Sequence, residues 1–293
     1  MSIFLLIAVV FWGFSYIAIK VSLQYLSPVE LIAARFVLGG VTLGAIIWWK
    51  GLSFSLKGQF KTLLLSGGIV FVHFWIMATG METTTATNTA WILTTAPIFI
   101  ALLSFFLLKE PFGKIQIISI ILATFGVVLL VSNGKLGSLD WIKSTGDWIV
   151  LGSCVTWAIY TIVSRKTAKR LDPLVATFWT IALAAVVIVP YSLTVSGYAV
   201  YAKMATDGII AVLFLGIGCL AISFWFWSEG LARKPAGEVG IYLYLEPLFA
   251  MFGGYLFLKE GITFWLILGA LFIVAGVYLS ERLGRIRLDE HDV

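Results

Sequence analysis

The residues best equipped for chemistry stand inside apolar stretches, at helical spacing. Trp12, Ser15 and Tyr16 fall at i, i+3 and i+4, one face of a helix. Trp157, Tyr160 and Thr161 repeat that spacing later in the chain. Two such aromatic walls suit a flat or cationic solute, because rings offer stacking area and a negative π face. The plainer alternative is aromatic filling of a lipid-facing or interfacial surface, common in a chain with 12 Trp, 10 Tyr and 22 Phe. His73 sits among Ile69, Val70, Ile76 and Met77. A polar ring at that depth is costly unless it meets a cavity or a partner. It either carries a proton near neutral pH or ties two helices together as a neutral imidazole. Asn88, Trp91 and Thr95, at i, i+3 and i+7, form a further candidate wall.

Glu246 is the carboxylate deepest inside an apolar stretch, with Tyr242 and Phe249 on its helical face and Pro247 beside it. Burying a charge is expensive, so Glu246 is expected to face water, a substrate ammonium or a coupled proton, or to serve an architectural or gating role. Arg35, about 10 Å along its helix by the rise per residue, is read chiefly as structural, pairing inside the bundle or snorkelling outward. Pro97 and Pro247 each remove a backbone donor and are the hinge candidates. The glycine spacing Gly40–Gly44 fits either close packing within the bundle or a dimer face. Lys109-Glu110 and Lys259-Glu260 are read as interfacial anchors at helix ends.

Other chemistry is not provided for. No GxxxxGK[ST] loop occurs, which argues against ATP hydrolysis. A membrane enzyme would need clustered His, Asp, Glu or Cys within the spans, but the second of the two histidines, His291, lies in the tail. Cys154 and Cys219 lack metal-ligand spacing and read as small packing residues. An enzyme is therefore not expected, nor a cofactor. A carrier of phosphorylated solutes would place several basic residues in its spans, whereas here only Arg35 qualifies.

The elements that must hold these residues follow from composition. Of 293 residues, 60% are hydrophobic and 12% charged, too little polar surface for a soluble globule of this length. A helix needs about 20 residues to cross hydrocarbon about 30 Å thick. Ten stretches qualify, running roughly over 3–20, 28–49, 62–81, 84–108, 113–132, 147–165, 173–195, 208–229, 236–258 and 262–280. The first, with no basic region before it, reads as a retained helix. The connections leave no room for a soluble domain, and the ten-residue alternation of a β-barrel is absent. The net charge of +5 is read as loop charge that orients helices, with no nucleic-acid partner.

The chain also resembles itself. Trp12 and Pro28 match Trp157 and Pro173 at an offset of 145. Gly68, Gly80, Pro97, Lys109-Glu110 and Gly126-Val127 recur at an offset of 150 as Gly218, Gly230, Pro247, Lys259-Glu260 and Gly276-Val277. The glycine- and serine-bearing stretch 133–146 joins the halves. With the amino terminus inside, alternate connections place 14 Lys and Arg inside and 5 outside. Both termini are then cytoplasmic. An odd number of spans per half turns the second half upside down, the arrangement of many secondary transporters, whose substrate site lies near the midplane.

The pattern Trp12-Gly13 to Lys20, Arg35, Pro97 followed by Leu108-Lys109-Glu110, Glu246-Pro247 followed by Leu258-Lys259-Glu260, and Gly126 with Gly276 resembles the EamA branch of the drug/metabolite transporter superfamily over nearly the whole chain. The resemblance implies ten helices around a central cavity and efflux of amino acids, metabolites or drugs. It also carries Trp12, His73, Trp91 and Trp157 over as binding residues, as in members that export aromatic amino acids.

The expectation is thus an all-α integral membrane protein of ten transmembrane helices in two inverted five-helix repeats, residues 1–132 and 147–283, with linker 133–146 and cytoplasmic tail 284–293. Its substrate-binding candidates are Trp12, Ser15, Tyr16, His73, Asn88, Trp91, Trp157, Tyr160, Tyr242 and Glu246. Its expected partners are a small-molecule substrate and the lipid bilayer, and it is expected as a monomer or weak homodimer. A channel or a structural membrane protein is the alternative, told apart by saturable, solute-specific flux.

Overall fold

The computed structural model describes residues 2–81, 83–84, 89, 92–110, 113–134, 144–258 and 263–289. Among them there is no strand. The helices are α1 (Ile3–Ser22), α2 (Pro28–Trp49), α3 (Phe60–Met81), α4 (Ala96–Leu108), α5 (Lys114–Ser132), α6 (Thr145–Ala168), α7 (Pro173–Ser196) and α8 (Thr206–Arg233). After them, α9 joins Ala236–Ile241 to Glu246–Leu258 through the 3-10 turn Tyr242–Leu245, and α10 is Phe264–Asp289. Among the described residues nine of these are long and apolar enough to cross a membrane, and α4 is a shorter apolar helix.

Local sequence explains where the helices start. Ser27 caps α2 in a reciprocal box with Glu30, and Asp172 caps α7 through the amide of Leu174; each cap is followed by proline at the first helical position, where no donor is missed. Ser144 and Asp147 make the same box at α6.

Two expected spans are corrected. The stretch 84–108 is not one helix: Thr94 and Thr95 form a turn and α4 begins at Ala96. Pro97 has no N–H for the Leu93 carbonyl, so the ladder breaks there. The neighbouring Ile92 carbonyl accepts instead from the Thr95 amide at 3.0 Å, the Thr95 hydroxyl at 2.7 Å and the Cys154 thiol at 3.2 Å. Pro247 does the same to α9, where the preceding turn tightens to 3-10. The last helix also runs on to Asp289, through most of the expected tail. Lys259 and Glu260 lie outside the described residues.

Side chains at the two ends of the bundle pair as an alternating chain requires. At one end Tyr25 donates to Asp207 at 2.8 Å, Tyr201 to the Glu30 carbonyl at 3.0 Å and Thr263 to Asn133 at 2.6 Å, while Thr84 donates to Asp147. At the other, Arg165 pairs with Glu110 at 3.0 Å and Lys234 with Glu281 at 2.5 Å. The outer surface between the ends is apolar: Val41, Phe106, Ile121, Val186 and Leu271 are all exposed. Trp48, Trp49 and Tyr198 are exposed where helices end, as interfacial rings are.

Close glycine contacts pack α5 on α10. A Cβ on Gly126 would lie 2.6 Å from the Gly269 carbonyl oxygen, and one on Gly276 would lie 2.7 Å from that of Ser119. Gly276 stands 150 residues after Gly126, and Gly269 stands 150 after Ser119, so the two contacts are one contact made twice. Gly126→Val should force these helices apart and destabilise the fold by about 1–3 kcal/mol. Gly40→Ala should be silent, because nothing lies within 4 Å of the added carbon. Thermal unfolding in detergent checks both; a Gly126→Val melting point equal to wild type would refute the close approach.

Candidate functional site

The centre of the bundle is an aromatic cluster drawn from both halves. Trp12 of α1 meets Trp157 of α6 edge to face, ring centres 5.3 Å apart, and each is only 8% exposed. Phe224 lies 5.8 Å from Trp12 and 5.4 Å from Trp157, and Trp227 lies 5.4 and 5.9 Å away respectively. Tyr160 closes the Trp157 side at 5.1 Å. Phe74 stacks on Phe224 at 6.2 Å. These rings are close-packed, so in this conformation the expected aromatic walls touch each other.

The polar atoms of the cluster are held from behind. Trp12 Nε1 donates to the Cys219 carbonyl at 2.9 Å. That carbonyl lies in Phe214–Ile222, where α8 widens to a π-helix. Such widening displaces carbonyls from the usual ladder and often marks functional positions. His73 Nδ1 lies 3.0 Å from the Ser153 carbonyl and 3.2 Å from the Thr156 hydroxyl. A carbonyl only accepts, so Nδ1 carries a proton, and the Thr156 hydroxyl also donates to Ser153. The imidazole thus ties α3 to α6 while its ring lies 5.3 Å from Trp157. Tyr16 and Glu246 both keep partial exposure. Gly13 lets α1 reach the Glu246 backbone and Phe249.

The remaining candidates disperse. Ser15 donates to its own helix at the Trp12 carbonyl, 2.6 Å away. Tyr242 leaves the Glu246 face, because the 3-10 turn between them advances 3 residues per turn and rotates it away. Its hydroxyl accepts from the Ser2 amide at 2.8 Å and donates to Glu281 at 2.6 Å, at the end of the bundle. Pro97 and Pro247 start helical segments where the expectation was a kink within one. Asn88 and Trp91 lie outside the described residues. Cys154 and Cys219 are buried thiols that donate to Ile92 and Phe11 carbonyls.

Sequence reasoning missed Phe74, Phe224 and Trp227. One signal was available: Phe224 stands 150 residues after Phe74, the register of the repeat, and the two rings stack. Two readings change. Glu110 is no lipid-interface anchor, since it accepts from Arg165, from the Ala236 amide at 2.7 Å and from the Ser104 hydroxyl. Among the described residues Arg35 pairs with no carboxylate, and it does not snorkel: it is 6% exposed, with its guanidinium 4.9 Å over the Phe74 ring.

A helical bundle with an apolar outer surface and a buried aromatic and polar centre is a multi-pass membrane protein. The EamA-like transporter family matches residues 1–132 and 144–282, and the chain belongs to that family. It is similar to an uncharacterized transporter of Archaeoglobus fulgidus, 30% identical over 94% of this chain and 95% of that one. The uncharacterized transporter YoaV of Bacillus subtilis is 25% identical over 92% of each chain, and a chloroplastic WAT1-related protein of Arabidopsis thaliana is 26% identical over 92% of this chain and 66% of its own. A crystal structure superposes with a TM-score of 0.83 over 98% of each chain at 21% identity, a likeness of fold alone. The family and the first two of these relatives are named as transporters, which supports membrane transport.

Proposed function

We propose that this chain exports a small organic solute, an amino acid, another metabolite or a lipophilic amine, across the cell membrane by alternating access, with both termini cytoplasmic. Ten spans form two inverted repeats, with α4 in the fourth. The observation that carries the reading is the meeting of Trp12 with Trp157. They occupy equivalent places in the two halves, so their contact lies where an inverted-repeat axis must run, and the Phe74–Phe224 stack repeats the relation. A site on that axis is reached equally from either side when one half rocks against the other. Pro97 and Pro247, at equivalent breaks of α4 and α9, supply the hinges, and Trp12, His73, Trp157 and Tyr160 contact the solute. The Arg165–Glu110 and Lys234–Glu281 pairs close the cytoplasmic end.

The test is flux of radiolabelled amino acids and cationic amines in proteoliposomes, with and without a pH gradient. Trp157 is close-packed, so Trp157→Ala would leave a cavity costing about 3–5 kcal/mol. Trp157→Phe is the cleaner variant and should lower flux at least about tenfold, while melting stays within a few degrees of wild type. Equal flux would remove the tryptophan pair from the solute path. Orientation is checked separately: single cysteines in 133–146 should react with an impermeant maleimide from outside the cell, and labelling only from the cytoplasm would invert the topology.

A further inference from the structure

Arg35 is the least explained residue of the core. Its side chain is 94% buried, being 6% exposed, within a membrane-spanning helix, and Nε is sealed from solvent with no acceptor. No carboxylate pairs with it among the described residues. The one compensation is the face of Phe74 at 4.9 Å. A cation–π contact offsets a fraction of the cost of a desolvated guanidinium, and an unpaired buried charge is a standing demand for an anion. Phe74 in turn stacks on Phe224, which touches both Trp12 and Trp157, so two ring contacts link Arg35 to the candidate site.

The repeat supplies an independent reason. A residue needed only to hold a duplicated fold recurs in both halves, as Gly126 and Gly276 do. The counterpart of Arg35 at the offset of 145 is Thr180, whose hydroxyl donates to Ser66 at 3.2 Å. The counterpart of Glu246 is Ala96. The two deep charges therefore break the symmetry, as groups serving one asymmetric solute must.

We infer that Arg35 anchors the anionic group of the transported solute, a carboxylate held by the guanidinium fork while the apolar body of the solute lies against the Trp12–Trp157 rings. This rests on the transport reading above and narrows its substrate class to small organic anions and zwitterions bearing a carboxylate, at the expense of simple amines. The Nε and terminal N–H groups supply parallel donors to the two carboxylate oxygens, geometry that a lysine ammonium does not reproduce.

The test uses the full chain in lipid nanodiscs and three probes of one skeleton: 3-phenylpropionate, 3-phenylpropanol and 3-phenylpropylamine. Calorimetric titration should show the carboxylate bound at least about tenfold more tightly than the alcohol or the amine. Arg35→Gln should weaken the carboxylate roughly 10- to 100-fold and leave the alcohol unchanged, with Arg35→Lys intermediate. Should Arg35→Gln fail to fold, the wild-type ranking and Arg35→Lys still decide. Equal binding of all three probes, or a carboxylate preference that survives in both variants, overturns the assignment and leaves the transport reading standing. Absence of binding by any probe, together with absence of flux for every labelled solute, sinks both.

Discussion

Glu246→Gln is expected to abolish gradient-driven flux while the protein stays folded. The side chain lies within a spanning helix, partly exposed, where α9 has just passed through its 3-10 turn. Glutamine keeps the size and the capacity to hydrogen-bond but neither titrates nor carries charge, so it separates an electrostatic role from packing. If Glu246 moves a proton or receives a substrate ammonium, the variant loses at least about 100-fold in accumulation against a gradient, with thermal melting near wild type. Wild-type rates with unchanged pH dependence would take Glu246 out of the mechanism and leave His73 as the titratable group beside the aromatic cluster.

Arg165→Met should have the largest effect on stability. Arg165 and Glu110 are 9% and 13% exposed, and the guanidinium also donates to the Leu231 carbonyl. Removing the cation leaves Glu110 charged and buried against the Ala236 amide and the Ser104 hydroxyl. Breaking a buried pair from one side costs about 3–5 kcal/mol, because the partner's desolvation is no longer offset. The melting temperature in detergent should therefore fall by many degrees. Adding Glu110→Gln should restore part of the loss by neutralising the orphaned carboxylate. If the double variant melts no higher than Arg165→Met, the cost lies in packing and the ion pair is not what holds these helices together. In the transport reading this contact joins α4 to α6 and to the α8–α9 connection at the cytoplasmic end, so the double variant should also change flux.

Much of the fold was legible because membrane helices obey local rules. In hydrocarbon every backbone group must be satisfied within its own segment, so a span reads from about 20 apolar residues and its caps. The α2 range matches the expected span at both ends, and the Pro28 and Pro173 starts follow from the Ser27 and Asp172 caps before them. The Gly126–Gly276 relation was legible for the same reason, since a duplicated contact leaves duplicated punctuation. The break before Ala96 was less so: proline signals a lost hydrogen bond, but whether the helix kinks or stops depends on what receives the freed carbonyls, here the Thr95 and Cys154 side chains.

By itself the sequence determined that the chain crosses a membrane many times, and it named Trp12, His73, Trp157 and Glu246 as candidates. Helical spacing names a face without saying what that face meets. Tertiary structure decided that Trp12 and Trp157 face each other, that Phe74, Phe224 and Trp227 complete the cluster, and that Tyr242 belongs instead with Ser2 and Glu281. It also decided that Glu110 is paired, whereas Arg35 has no carboxylate partner among the described residues. The physical reason is that a charge within an apolar span carries the same desolvation cost wherever it stands, and only the surrounding helices determine whether a partner offsets it.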